Sequence, residues 1–235
     1  MSNNIIYIFD FDGVLCNSID ECLITSYNAF YHTELINLDD IPNQFKLFFY
    51  KYRYHVRPVN EYLLICKAYM DKKDLSFPIF NELKKRYEKE MDIFEKHFFF
   101  KRDFLKKKTD LWLSYHTIYK HAAQFIAGLS RKFYIVTTKD YNSVEMLANH
   151  FGFINKVEEI LSKEMSIDKS VLFQYLFDKY KSLLNGRRII FVDDNEFHLA
   201  SVTKFPIELY FAKWGYAKNQ VHNSYEEINS LKELA

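Results

Sequence analysis

Glycine is scarce: five occur in 235 residues (Gly13, Gly128, Gly152, Gly186, Gly215), and none falls between Val14 and Ala127. That same gap holds three of the four prolines, Pro42, Pro58 and Pro78. So little glycine and proline excludes a collagen-like or low-complexity chain. Cysteine is equally sparse. Cys16, Cys22 and Cys66 form neither a metal-binding spacing nor an even disulfide set, which fits a reducing compartment. No apolar run approaches the ~18 residues of a membrane span, and the opening MSNNIIYIFDFDG lacks a signal-peptide pattern. A cytoplasmic protein with no membrane partner is expected. Excess charge is missing too: 32 Lys and Arg against 31 Asp and Glu leave +1, so no nucleic-acid partner is expected. What remains is 49% hydrophobic and 27% charged, enough for one large domain or a core with one sizeable insertion.

The glycines divide the chain into two regimes. Outside the gap they stand beside short apolar runs: Ile5–Asp10, Lys132–Thr137, a weaker run at Val157–Leu161, Arg188–Asp193 and Ile207–Phe211. Such runs read as strands buried on both faces of a parallel sheet. Between them lie helical patterns over Asn142–Phe151, over Ser166–Leu184 (closed by Asn185-Gly186) and from Asn195. Strand–helix alternation implies right-handed crossovers and a doubly wound α/β sheet, which binds ligands beyond the carboxyl ends of its strands. The insertion, residues 17–125, suggests helices near 18–32, 57–70, 76–97 and 110–127. It is +3 where the remainder is −2. Its aromatics, among them Tyr50, Tyr52, Tyr54 and Phe98-Phe99-Phe100, read as helix packing, and Lys106-Lys107-Lys108 as a solvated helix end.

The strand ends carry the chemistry. The first runs into Asp10-Phe11-Asp12-Gly13; the two acids, one residue apart, leave an extended chain on one side, and the glycine lets the backbone turn past them. The fourth ends in Asp193-Asp194. Converging carboxylates need a cation, and a few of them with room for water and phosphate suit Mg²⁺ better than Ca²⁺. The competing reading of Asp10 and Asp12 is a capped turn. Thr137-Thr138-Lys139 offers a hydroxyl and amides at a helix start, an anion site. Lys169, with Lys163 nearby, can set an ammonium over the acids.

In this order, DFDGVL (10–15), IVTT (135–138), Lys169 and FVDD (191–194) resemble the four motifs of the haloacid dehalogenase superfamily. DFDGVLCNS and Trp214-Gly215-Tyr216 are similar to stretches of its phosphoglycolate-phosphatase-like members. The resemblance spans essentially the whole chain. It implies a Rossmann-like, mostly parallel five-stranded sheet in the order 3-2-1-4-5, formed by residues 1–16 and 126–235, with residues 17–125 as an all-helical cap. It implies Asp10 as nucleophile and Asp12 as general acid and base. Thr137 and Lys169 would stabilise the phosphoryl group, and Gly13, Thr138 and Lys139 would line its site. Mg²⁺ would be held by Asp10, the Asp12 carbonyl and Asp194, with Asp193 in support. Three departures stand out: Asn17 for an acid, Ser170 and Leu172 for prolines, and His198 for a second acid after the fourth motif. Asp12 favours phosphomonoester chemistry over dehalogenation, because it can protonate an alkoxide. A Mg²⁺-dependent phosphatase acting on a small phosphorylated metabolite, such as a sugar phosphate, is expected. The alternatives are a phosphomutase and a non-catalytic binding protein that keeps the fold. Arg53, His55 and Arg57 read either as a grip for a second anionic group or as a solvated basic turn.

Overall fold

IIYIF at 5–9 offers apolar side chains to both faces of a strand, and only the middle of a covered sheet can bury both. The computed structural model, which describes residues 5–184, 186–216 and 225–234, puts it there. The chain forms two units, Met1–Asn17 with Thr117–Ala235, and Ser18–His116. In chain order the first contains β1 (Ile5–Phe9), β2 (Cys16–Asn17), β3 (Thr117–Ile118), α7 (Lys120–Gly128), β4 (Phe133–Val136) and α8 (Tyr141–His150). There follow β5 (Val157–Leu161), α9 (Lys169–Lys179), α10 (Lys181–Leu184), β6 (Arg188–Asp193), α11 (Glu196–Ser201), β7 (Glu208–Ala212) and β8 (Glu226–Ile228).

The sheet order is β5-β4-β1-β6-β7-β8, with every pair parallel. The five expected strands keep the expected order, and a sixth, β8, extends the edge beyond β7. β1 pairs residue for residue with β6, from Ile5 opposite Arg188 to Phe9 opposite Val192. Alternation along β1 divides its side chains between two faces. Ile6 and Ile8 join Val136, Leu172, Phe173 and Phe191 in one core cluster. Tyr7 and Phe9 meet the edge of Phe125, with centroids 5.1 and 6.0 Å away. That second contact explains a shifted boundary. Residues 117–125, expected in the insertion, belong to the α/β unit, because α7 carries Phe125 onto β1. The expected helix 110–127 is accordingly two helices, interrupted where β3 pairs antiparallel with β2. The helix expected over 166–184 starts at Lys169 and is broken at Tyr180; Asn185 lies outside the described residues.

The Ser18–His116 unit contains α1 (Ile19–Tyr31), α2 (Asn43–Tyr52), α3 (Tyr62–Met70), α4 (Phe77–Arg86), α5 (Glu88–Lys106) and α6 (Thr109–Ser114), with short 3-10 turns. The expected helix 76–97 is two: Tyr87, with φ −108° and ψ 17°, leaves helical geometry between α4 and α5. Tyr62 stacks on Phe98 and on Phe49, so the aromatics do pack this unit's core, while Phe100 stays 65% exposed. Glu21 of α1 and Arg102 of α5 form a buried two-bond pair, both bonds at 2.9 Å, beneath the Phe98 ring. The residues at 53–57 serve the fold. Arg53 donates to the Val56 carbonyl at 2.8 Å, His55 is buried against the Leu75 carbonyl, and the Arg57 amide donates to Glu61. Among the described residues no helix is long and apolar enough to cross a membrane.

Candidate active site

β1 and β6 run side by side and end together, so the acids that follow them arrive at one edge. The Asp10 amide continues the ladder, donating to the Val192 carbonyl at 3.0 Å. Beyond it the chain turns sharply. Gly13 takes φ +89°, a conformation L residues rarely adopt, and its amide donates to the Cys16 carbonyl at 2.8 Å. Asp10, Asp193 and Asp194 are all buried, and one carboxylate oxygen of each lies within 4.8 Å of the other two.

Lys169 opens α9 behind the Asp168 cap and is fully buried. Its ammonium bridges two acids, 2.7 Å from Asp10 Oδ1 and 2.6 Å from Asp193 Oδ2. Lys163 is not the lysine that does this. Burial drives the Asp10 carboxyl up to about 6, although Lys169 pulls it down. Burial also opposes the Asp193 charge, but Lys169 and His198 outweigh it and bring that group down to about 2. Lys169 itself is desolvated yet held above its ordinary value by the two carboxylates.

The two members of the Asp193-Asp194 pair have different surroundings. Asp193 is fully engaged: Oδ1 accepts from the Asn195 amide at 2.8 Å, and Oδ2 accepts from Lys169 and from His198 Nδ1 at 3.2 Å. Asp194 sits between two glycines. A Cβ on Gly13 would fall 2.3 Å from Asp194 Oδ2, and one on Gly215 would fall 2.2 Å from Asp194 Cβ. The Tyr216 amide donates to Asp194 Oδ2 at 2.6 Å. Trp214 Nε1 donates to the Val14 carbonyl at 3.1 Å, and the Tyr216 hydroxyl lies 3.2 Å from Asn17 Oδ1. The Trp214–Tyr216 turn therefore clamps the loop after β1. Asn17, singled out for lacking a charge, is one of its anchors.

The second group of expected residues has contacts of its own. Gly13 lies against the Asp194 carboxylate. Lys139 is buried with its ammonium 3.2 Å from both carboxylate oxygens of Asp12. Asp12 and Asp10 thus answer to different lysines. Thr137 is buried, and its hydroxyl accepts from the Lys139 amide at 3.2 Å; Thr138 beside it is half-buried. The start of α8 is less open to an anion than its sequence suggests, because the Asp140 carboxylate already accepts from the Ser143 amide at 2.9 Å. Sequence reading missed the Asp12–Lys139 pair and the His198–Asp193 contact, since nothing local announces either.

The donor set fits a hard cation: all-oxygen, carboxylate and buried, with Asp10 raised by its burial. Asp10, Asp193 and Asp194 together could hold such a cation. Of the three, Asp193 has both carboxylate oxygens already hydrogen-bonded within the chain. The whole arrangement presents a buried carboxylate beside an ammonium, with a second carboxyl group two residues on, a geometry that nucleophilic attack on an anionic centre can use.

Solved structures share this fold. One described as a predicted phosphoglycolate phosphatase from Haemophilus somnus superposes with a TM-score of 0.68 at 17% identity, over 100% of this chain and 97% of that one. One described as a candidate phosphatase from Clostridium difficile gives 0.67 at 15% identity, covering 100% and 99%. YfnB from Bacillus subtilis, described as a candidate HAD-hydrolase and solved bound to magnesium, gives 0.58 at 16% identity, covering 99% and 97%. At such identities the likeness establishes the fold alone. No curated protein matches the sequence. The family model of the haloacid dehalogenase-like hydrolases matches residues 6–201, from the first apolar strand to the end of α11, and so takes in all the acids and lysines described above. The chain belongs to the haloacid dehalogenase-like hydrolase family.

Proposed function

We propose that the chain is a Mg²⁺-dependent phosphatase of small phosphomonoesters, sugar phosphates or similar metabolites, working through an aspartyl-phosphate. The observation that carries this reading is Asp12. A second carboxylate, 22% exposed and two residues beyond the buried Asp10, is what an alkoxide leaving group requires and a halide does not. The phosphatase descriptions of two structural neighbours support it.

In this reading Asp10 attacks phosphorus. The new O–P bond forms as the ester P–O bond breaks, and the leaving oxygen takes the proton of Asp12. Water then attacks the aspartyl-phosphate and gives its proton to Asp12, and the acyl-phosphate bond breaks to restore the Asp10 carboxylate. Lys169 offsets charge on Asp10 and on the transferring group, while the Thr137 hydroxyl holds a phosphoryl oxygen. Lys139 fixes the direction of the Asp12 carboxylate. Asp10, Asp194 and the main-chain carbonyl of Asp12 would hold Mg²⁺, which when bound lowers the repulsion between carboxylate and phosphate.

Purified protein with Mg²⁺ should release phosphate from a panel of sugar phosphates, phosphoglycolate and nucleotides. Asp10→Asn should abolish release, and Asp12→Asn should lower it by about 10²-fold or more. Full turnover in the Asp10 variant would remove the nucleophile assignment. Transfer of phosphate back to substrate instead of water would identify a mutase.

A further inference from the structure

We infer that His198 is a positioning residue for the reaction, acting through Asp193 on Lys169; the inference rests on the phosphatase reading above. Three donors converge on the Asp193 carboxylate, and two of them, Lys169 Nζ at 2.6 Å and His198 Nδ1 at 3.2 Å, share the single oxygen Oδ2. The third, the Asn195 amide, occupies Oδ1. An ionised carboxylate can only accept, so Nδ1 of His198 carries a proton whether the ring is neutral or charged. Lys169 is fully buried and stands between two acids at nearly equal distances, 2.7 Å from Asp10 and 2.6 Å from Asp193.

That near-equality is a balance. Each hydrogen bond Oδ2 receives from His198 reduces what it can give the ammonium. Without His198, Oδ2 has one remaining donor, and Lys169 is drawn toward Asp193 and away from Asp10. The ammonium then screens the nucleophile less well as negative charge gathers on the incoming phosphoryl group. Ground-state binding of a small phosphoester changes little, so the loss falls on kcat rather than KM. His198 sits on α11, whose Asn195 cap places it one turn beyond Asp193, with its side chain 17% exposed. Its hydrogen bond goes to Asp193 and not to Asp10, so its hold on Lys169 runs through the shared carboxylate.

The test compares His198→Ala and His198→Phe, which remove the donor with and without loss of ring volume, with His198→Asn, whose amide nitrogen can occupy the place of Nδ1. Their kcat and KM are measured on a small phosphoester with Mg²⁺, their melting temperatures are recorded, and side-chain ¹⁵N NMR reads the His198 tautomer in wild type. The expected result is a fall of about tenfold in kcat for Ala and Phe at unchanged KM, recovery in Asn, and a proton on Nδ1. Unchanged kcat in Ala and Phe, or an Asn variant as slow as Ala, would overturn the inference. So would an unprotonated Nδ1, whatever the turnover. A wild-type protein inert toward every phosphoester, with Nδ1 protonated, would overturn the phosphatase reading alone.

Discussion

At Asp194 the critical dimension is the width of a methyl group. Gly215 and Gly13 approach this carboxylate so closely that any β-carbon must displace it. Gly215→Ala should therefore weaken Mg²⁺ binding by about tenfold or more, at a stability cost of about 1–3 kcal/mol. Calorimetric titration and thermal melts would check both; unaltered Mg²⁺ affinity would deny Asp194 its place as a ligand. The acids themselves were legible in the sequence, because Asp10 and Asp193-Asp194 directly follow apolar runs that can only be strands. Their lysine partners were less so. Lys169 meets Asp10 across 159 positions and Lys139 meets Asp12 across 127, separations that only the folded sheet closes. Lys139 accordingly looked like a phosphate contact, and His198 like a missing acid.

Among the elements, the α1–α5 pair shows what buried charge does inside a helical unit. Glu21 accepts both bonds from Arg102 and one from the Thr25 hydroxyl at 2.8 Å, away from water. Arg102→Met should cost about 3–5 kcal/mol, because it strands a buried carboxylate, whereas Glu21→Leu with Arg102→Met should recover most of that loss. Denaturant melts of the two single variants and the double variant would decide, and simple additivity would mean that the two side chains are not coupled. At this scale the sequence was readable where periodicity changes and obscure where it does not. The strand–helix alternation gave five strands in order. β8 is three residues long with two glutamates, too short and polar to register as a strand. α2, rich in Phe and Tyr between basic residues, hid among aromatics that suit either regular structure. The break at Tyr87 carries no glycine or proline to mark it.

For the molecule as a whole, the contrast between Asp10 and Asp193 sets a dependence on pH. Without metal, burial keeps Asp10 protonated below about 6, while Asp193 stays ionised down to about 2. On the proposed reading Mg²⁺ binds the ionised Asp10, so below that pH its binding would expel a proton and weaken as acidity rises. A ligand that binds only the folded state stabilises it by RT ln(1 + [L]/Kd), and so raises the melting temperature more the tighter it binds. Mg²⁺ should therefore raise the melting temperature clearly at about pH 7.5 and much less at about pH 5, with proton uptake or release read from titrations in two buffers. An equal rise at both would mean that Asp10 is not a ligand.

The short ribbon of β2 and β3 has its own implication. Asn17 lies opposite Thr117, so the chain departs from the α/β unit and comes back at nearly the same spot. Topologically this is a hairpin whose loop happens to be a folded body. The entropy of closing a loop grows only with the logarithm of its length, so such a detour burdens the parent sheet little more than an ordinary turn would. The ribbon is thus a natural splice point, where helical inserts of different size and sequence can be exchanged while the acids at the sheet edge stay as they are.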